Sequence, residues 1–153
     1  MENKKIEILL IEDNLKDAEL TIRALRKSNM NNHLIHLKNG AEALEFLFGT
    51  GKYEGRNISN KPTVILLDLK MPKVDGFEVM IQIKVNESTK SIPVVVLTSS
   101  KEASDIERAY LLGANSYIVK PVEFEEYMKV VTDLGLYWLL KNQLPVYINK
   151  QKS

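Results

Sequence analysis

Two runs without a polar side chain, Val64-Ile65-Leu66-Leu67 and Val94-Val95-Val96-Leu97, constrain this chain more than anything else in it. Such short apolar runs read as strands buried on both faces, as in a parallel sheet held between two layers of helices. Each ends abruptly in polar residues, Asp68 after the first and Thr98-Ser99-Ser100 after the second. Met71-Pro72 and Asp75-Gly76 follow Asp68, so that carboxylate stands where the chain leaves the sheet and starts to turn. In open α/β sheets, ligands gather at that edge. Taken alone, Asp68 would be a strand-end acid bonding the amides of its turn; the rest of the chain gives it more to do.

Three further runs alternate with helical patterns. Residues 6–11 (IEILLI) read as a first strand that ends on Glu12-Asp13-Asn14. Leu15, Ala18, Ile22 and Leu25 then recur at helical spacing to about Ser28, with Asn14 or Asp13 as the N-cap. Residues 33–37 form a weaker second strand, and Gly40, Ala43, Leu44 and Leu47 open a second helix. Residues 49–60 (GTGKYEGRNISN) carry no periodicity and read as a long surface loop. Gly76, Val79, Met80 and Ile83 mark a third helix, and Ile106, Ala109, Tyr110 and Gly113 a fourth. A fifth strand over 116–119 ends on Lys120-Pro121, and a fifth helix begins near Glu123 with Phe124, Tyr127, Val131, Leu134 and Trp138 expected to face the core.

Parallel strands joined by helices cross over right-handed, which predicts a three-layer α/β sandwich. Its doubly wound five-stranded form has strand order 2-1-3-4-5 and a switch point between strands 1 and 3. At 153 residues one domain is expected, a core of about residues 5–135 with a helical extension over 136–153 and no separate output or DNA-binding unit.

That strand order sets Glu12 and Asp13 beside Asp68, with Thr98 and Lys120 on the neighbouring strand ends. At separations of about 5 Å and an effective dielectric near 20, each carboxylate pair would repel by roughly 3 kcal/mol. A divalent cation relieves this, and a few oxygen ligands beside a phosphate suit Mg²⁺. Asp13 reads as the direct ligand, Glu12 as a ligand or a partner through water, Asp68 as a shared ligand and the Lys70 backbone carbonyl as a further oxygen. Capping of the first helix by Glu12-Asp13 is compatible with this. With no cysteine, and with His33 and His36 expected away from the edge, zinc is not anticipated.

An Asp carboxylate held beside a metal can become a nucleophile and form an acyl phosphate. Its transition state needs oxygens positioned and neutralised. Mg²⁺ would take one phosphoryl oxygen, the Lys120 ammonium another, and the Thr98 hydroxyl or a nearby amide the third. Pro121 fixes the backbone directly after the lysine. No general base and no substrate pocket signature accompanies these residues, so an acceptor is expected and not a catalyst acting on other molecules. A net charge of +1 gives no field to draw nucleic acid or an anionic membrane. The start MENKK lacks the uncharged core of a signal peptide, which makes a cytoplasmic location the expectation.

Glu12-Asp13, the DLKMPKVDG run around Asp68, Thr98-Ser99 and Lys120-Pro121, in this order and spacing, resemble the receiver domain of two-component response regulators, over about residues 5–135. The resemblance implies a flavodoxin-like (βα)5 fold and transfer of a phosphoryl group to Asp68 from a histidine kinase or a phosphotransfer protein. It also implies a switch in which Thr98 moves toward the phosphoryl group and Tyr117 turns inward, remodelling the surface of helix 4, strand 5 and helix 5. Pro72, Gly76 and Pro121 would shape the turns. The Glu-Asp-Asn start, the long loop, AYLLGANSYIVKPV and YWLLKNQLP are similar to stand-alone receivers that partner phytochrome-type histidine kinases and pair as homodimers. Trp138 with Tyr137 and Leu139-Leu140 then forms either the core-facing end of helix 5 or a dimer surface. Lys70 is a long cation that could stand over the phosphoryl site. A flavin-binding protein would need an amide-rich phosphate loop where Glu12 and Asp13 stand, and an aspartyl phosphatase a second acid where Lys70 stands.

Overall fold

The computed structural model describes residues 5–30 and 33–141. In chain order they form β1 (Ile8–Ile11), α1 (Leu15–Lys27), β2 (Leu34–Leu37), α2 (Gly40–Phe48), β3 (Val64–Leu67), α3 (Gly76–Val85), β4 (Val94–Thr98), α4 (Ala103–Leu111), β5 (Ser116–Val119) and α5 (Phe124–Leu136). The strands make one five-stranded parallel sheet of order β2-β1-β3-β4-β5, as the alternation of patterns predicts.

Short polar side chains start the first three helices. Asn14, Asn39 and Asp75 each sit in extended backbone and accept the N–H three residues on, from Asp17, Glu42 and Glu78, which satisfies an amide that the helix leaves open. Asn14, not Asp13, is therefore the cap of α1. β4 runs through Thr98 and α4 begins only at Ala103, with Glu102 at its cap, so Thr98 belongs to the sheet.

The sheet divides the core by the two-residue period of its strands. Leu9, Ile11, Ile65, Leu67, Val94 and Val96 face α2, α3 and α4, where Phe46, Phe77, Met80 and Ile83 cover them. Their neighbours Ile8, Leu10, Val64, Leu66, Val95 and Leu97 face α1 and α5 and meet Leu25, Tyr127, Val131 and Trp138. The register Ile11↔Leu67 and Leu67↔Val96 keeps each row on its side. Gly135 lets α1 and α5 approach: a Cβ there would lie 2.8 Å from Leu25 Cδ2.

Three expectations change in detail. The loop over 49–60 is not free of structure, since Gly51–Tyr53 forms a 3₁₀ turn and Arg56 lies 4.0 Å above the Phe46 ring while its Nε donates to the Phe46 carbonyl. Phe124, expected to face the core, is exposed, and Tyr110 on α4 is exposed as well. Ala109 is the one fully buried residue of α4, and Phe124 opens α5 a turn before Tyr127 takes the buried position. Past α5, one wider helical turn (Tyr137–Lys141) buries Trp138 and leaves Tyr137 and Leu140 exposed, so the aromatic end serves the core and the surface at once. Among the described residues no helix is long and apolar enough to cross a membrane.

Candidate metal and phosphoryl centre

The carboxyl ends of β1, β3, β4 and β5 lie side by side because the strands are parallel and in register. β1 delivers Glu12. Its backbone N–H donates to the Leu37 carbonyl at 3.1 Å, its carbonyl lies 2.9 Å from His36 Nε2, and its Oε2 accepts the Asn14 N–H at 3.2 Å. His36 is thus part of this edge, contrary to expectation: β2 pairs with β1 residue for residue, which brings its ring over the end of β1. That nitrogen is already engaged by the carbonyl and offers no metal ligand. β3 delivers Asp68, which is 6% exposed; its N–H donates to the Ile11 carbonyl at 3.1 Å.

One carboxylate oxygen from each of Glu12, Asp13 and Asp68 falls within 4.8 Å of the others. Opposite them, Lys120 Nζ lies 2.8 Å from Glu12 Oε1, 2.8 Å from Asp17 Oδ2 and 3.6 Å from Asp68 Oδ2, with its side chain 7% exposed. Asp17 is the partner that the sequence reading missed. Its position three residues after the cap Asn14 placed it in the first turn of α1, but its pairing with Lys120, 103 residues away, needed the fold.

Burial of Glu12 and the charge of Asp68 push its carboxyl up to about 8, against the pull of Lys120. Burial on its own would lower the Lys120 ammonium, but Asp17, Glu12 and Asp68 overrule it and hold it above its ordinary range. Three carboxyl groups, of Glu12, Asp17 and Asp68, thus share one ammonium while Asp13 crowds Glu12 and Asp68 from the other side, an imbalance that a cation corrects. The donors are all oxygens and few, and Asp13 among them is half-buried, which fits a hard divalent ion and not zinc.

Thr98 completes the edge. Its carbonyl accepts the Lys120 N–H at 2.7 Å, so hydroxyl and lysine come from adjacent strand ends. The residue is fully buried, yet its Oγ1 has no hydrogen-bond partner, the one such side-chain atom among the described residues. Buried hydroxyls without a partner are uncommon, and this one stands beside the lysine of the site. Gly76 lies against the acceptor turn: a Cβ there would stand 2.4 Å from the Asp68 carbonyl oxygen, so only glycine fits. Pro121 lines a cleft of 440 Å³ beside Lys120, together with Leu20, Val122 and Phe124. Pro72 is exposed on the turn after β3.

Two residues make contacts that the spacing of the sequence did not show. The Tyr117 hydroxyl donates to the Ser100 carbonyl at 2.9 Å. The Lys70 ammonium lies 3.0 Å from Asp105 Oδ2 on α4.

Comparison with known proteins places this geometry. The family model "Response regulator receiver domain" matches residues 8–132. The chain is 43% identical over 138 residues to the probable methanogenesis regulatory protein FilR2 of Methanothrix harundinacea, covering 90% of this chain and 86% of that protein. It is 41% identical over 138 residues to the response regulator Rcp1 of Synechocystis, covering 90% and 92%. The Mn²⁺-bound structure of Rcp1 superposes with a TM-score of 0.84 at 39% identity, over 94% of this chain and all of that one. The phosphorylated cyanobacterial phytochrome response regulator RcpA does so with 0.85 at 36%, over the same shares. A parallel sheet of order 2-1-3-4-5, an acidic cluster faced by a strand-end lysine and threonine, and these likenesses lead to one conclusion: the chain belongs to the response regulator receiver domain family, the divalent-metal-binding phosphoacceptors of two-component signalling.

Proposed function

We propose that Asp68 accepts the phosphoryl group, with Mg²⁺ held by Asp13, Glu12, Asp68 and the Lys70 backbone carbonyl. An oxygen of Asp68 attacks the phosphorus of a donor phosphohistidine; the P–O bond forms as the P–N bond breaks, and its electron pair leaves with the donor imidazole. The ion supplies charge neutralisation for the phosphoryl oxygens. Lys120 holds one oxygen after releasing part of its grip on Glu12 and Asp17, and the Thr98 hydroxyl donates to another. The single observation that carries this reading is the buried, partnerless Thr98 hydroxyl beside Lys120. A donor that binds an anionic group explains why that hydroxyl is kept.

Transfer switches the chain through Thr98 and Tyr117. Tyr117 is tied to the loop after β4, and a shift of that loop toward the phosphoryl group frees its hydroxyl to turn inward. The donor is a histidine kinase or a phosphotransfer protein docking over the cleft rimmed by the exposed Val122 and Phe124. The names borne by the phytochrome response regulator RcpA, 36% identical, and by the bacteriophytochrome response regulator AtBRR, 47% identical, support a phytochrome-type kinase. The exposed Tyr137 and Leu140 support a homodimer. In this reading the chain is one receiver domain, cytoplasmic, binding neither nucleic acid nor membrane and catalysing nothing beyond its own phosphorylation and dephosphorylation. Acetyl phosphate with Mg²⁺ should retard the wild type on a phosphate-affinity gel and leave Asp68→Asn unmoved. Retardation of the variant, or none of the wild type, overturns the assignment.

A further inference from the structure

A second network, of side chains outside the acidic cluster, lies next to it. Lys70 Nζ stands 3.0 Å from Asp105 Oδ2, and the same oxygen accepts the Ser100 hydroxyl at 2.6 Å. Ser100 in turn takes the Tyr117 hydroxyl on its carbonyl at 2.9 Å and the Glu102 N–H on its own oxygen at 3.4 Å. Four pieces of the chain meet there: the turn after β3, the loop after β4, the first turn of α4 and β5. The contacts are short although the Lys70 side chain is 56% exposed, and Asp105, at 15%, is the sheltered partner.

Lys70 is rooted at the acceptor. Its backbone N–H points at Asp68 Oδ1 from 3.4 Å, two residues along the turn. A phosphoryl group on Asp68 would add about one further negative charge within reach of a four-carbon stem. The ammonium then has two anions to choose between, one on the turn that carries it and one on α4.

We propose that Asp105 is a positioning residue that competes with the phosphoryl group for the Lys70 ammonium, so that phosphorylation unclasps the loop after β4. This rests on Asp68 being the acceptor. Before phosphorylation the Lys70–Asp105 pair holds Ser100, and through it Tyr117, in the arrangement seen here. When Lys70 turns to the phosphoryl group, Asp105 keeps only Ser100, and the loop that follows Thr98 is released toward Asp68. Coupling of this kind requires that the ion pair belong to one of two states. In agreement, Asp105 is held below its ordinary range by Ser100 first and Lys70 second, and Lys70 above its own by Asp105.

The test is a beryllofluoride titration with Mg²⁺, followed by ¹⁹F NMR, on wild type, Asp105→Asn, Lys70→Ala and the double variant. Asn keeps the shape and the Ser100 bond and removes the charge that competes. Asp105→Asn should tighten apparent binding roughly two- to five-fold, the range open to an exposed pair. In the Lys70→Ala background the same change should do nothing, while Glu107→Gln, which removes an exposed charge from the same helix, should leave affinity unchanged. The amide signal of Tyr117 in unliganded Asp105→Asn should move toward its position in the liganded wild type. Weaker binding by Asp105→Asn, or an equal effect with and without Lys70, overturns the clasp and leaves the acceptor reading intact. A wild type that binds no beryllofluoride, or an Asp68→Asn that binds it equally well, overturns both.

Discussion

Thr98 ends β4 with a hydroxyl that is sealed from water and bonded to nothing, which costs stability in the resting protein. Thr98→Val replaces that oxygen with a methyl of nearly the same size. It should raise stability in urea by about 1 kcal/mol and slow phosphorylation by acetyl phosphate about ten-fold, the weight of one hydrogen bond to a charged group. A variant that is both less stable and fully active would show the hydroxyl to be structural. Asp17 tests the other side of the site. Asp17→Asn takes one of the two close carboxylates from Lys120 and should cost about 1–2 kcal/mol in urea, yet leave the Mg²⁺ dissociation constant within about two-fold because Asp17 lies outside the ligand cluster. A large loss of metal affinity would make Asp17 a ligand. Both residues show the limit of reading a chain locally: Thr98 was legible as a polar residue after an apolar run, but its lack of a partner was not.

Elements meet here through positions too tight for a side chain. At Gly76 an added Cβ would strike the Asp68 carbonyl oxygen at 2.4 Å and Leu69 Cα at 2.7 Å, both backbone, so the turn that presents Asp68 must move. Gly76→Ala is expected to cost about 2 kcal/mol and to impair phosphorylation as well. At Gly135 the first obstacle is the tip of Leu25, 2.8 Å away, and then the end of Met30. Those flexible ends can yield, and alanine gains about 1 kcal/mol of helix propensity, so Gly135→Ala should change stability by less than Gly76→Ala and leave phosphorylation as it was. Urea denaturation and acetyl phosphate assays on the pair decide it; equal losses of activity would mean that the α1–α5 packing also governs the acceptor turn. The elements themselves were readable, because Asn14, Asn39 and Asp75 each precede a helical pattern and each caps a helix. Their faces were less so: Tyr110 fits the stripe of α4 but lies in solvent, since a nine-residue helix that buries only Ala109 fully meets the core along a narrow line.

On the scale of the whole molecule, folding gathers Glu12, Asp13 and Asp68 into one acidic cluster and sets Lys120 and Asp17 against it, and an ion that binds only this arrangement must stabilise it. Magnesium at about one hundred times its dissociation constant should raise stability by about 2.7 kcal/mol, and the melting temperature by roughly 5–10 °C. Asp13→Asn should melt above the wild type in chelator and respond little to magnesium. A wild-type melting curve indifferent to the ion would remove the metal from this account. The sequence by itself determined the alternation of apolar strands and amphipathic helices, hence the doubly wound sheet and the edge at which Glu12, Asp13, Asp68, Thr98 and Lys120 had to collect, because strand pattern and crossover handedness leave few other arrangements. Only the tertiary structure decided that His36 reaches the Glu12 carbonyl, that Lys120 rests on Asp17, and that Lys70 turns away to Asp105. Long polar side chains choose among partners by angstroms of distance and by the charges that folding brings near, and neither is written in the spacing of residues along a chain.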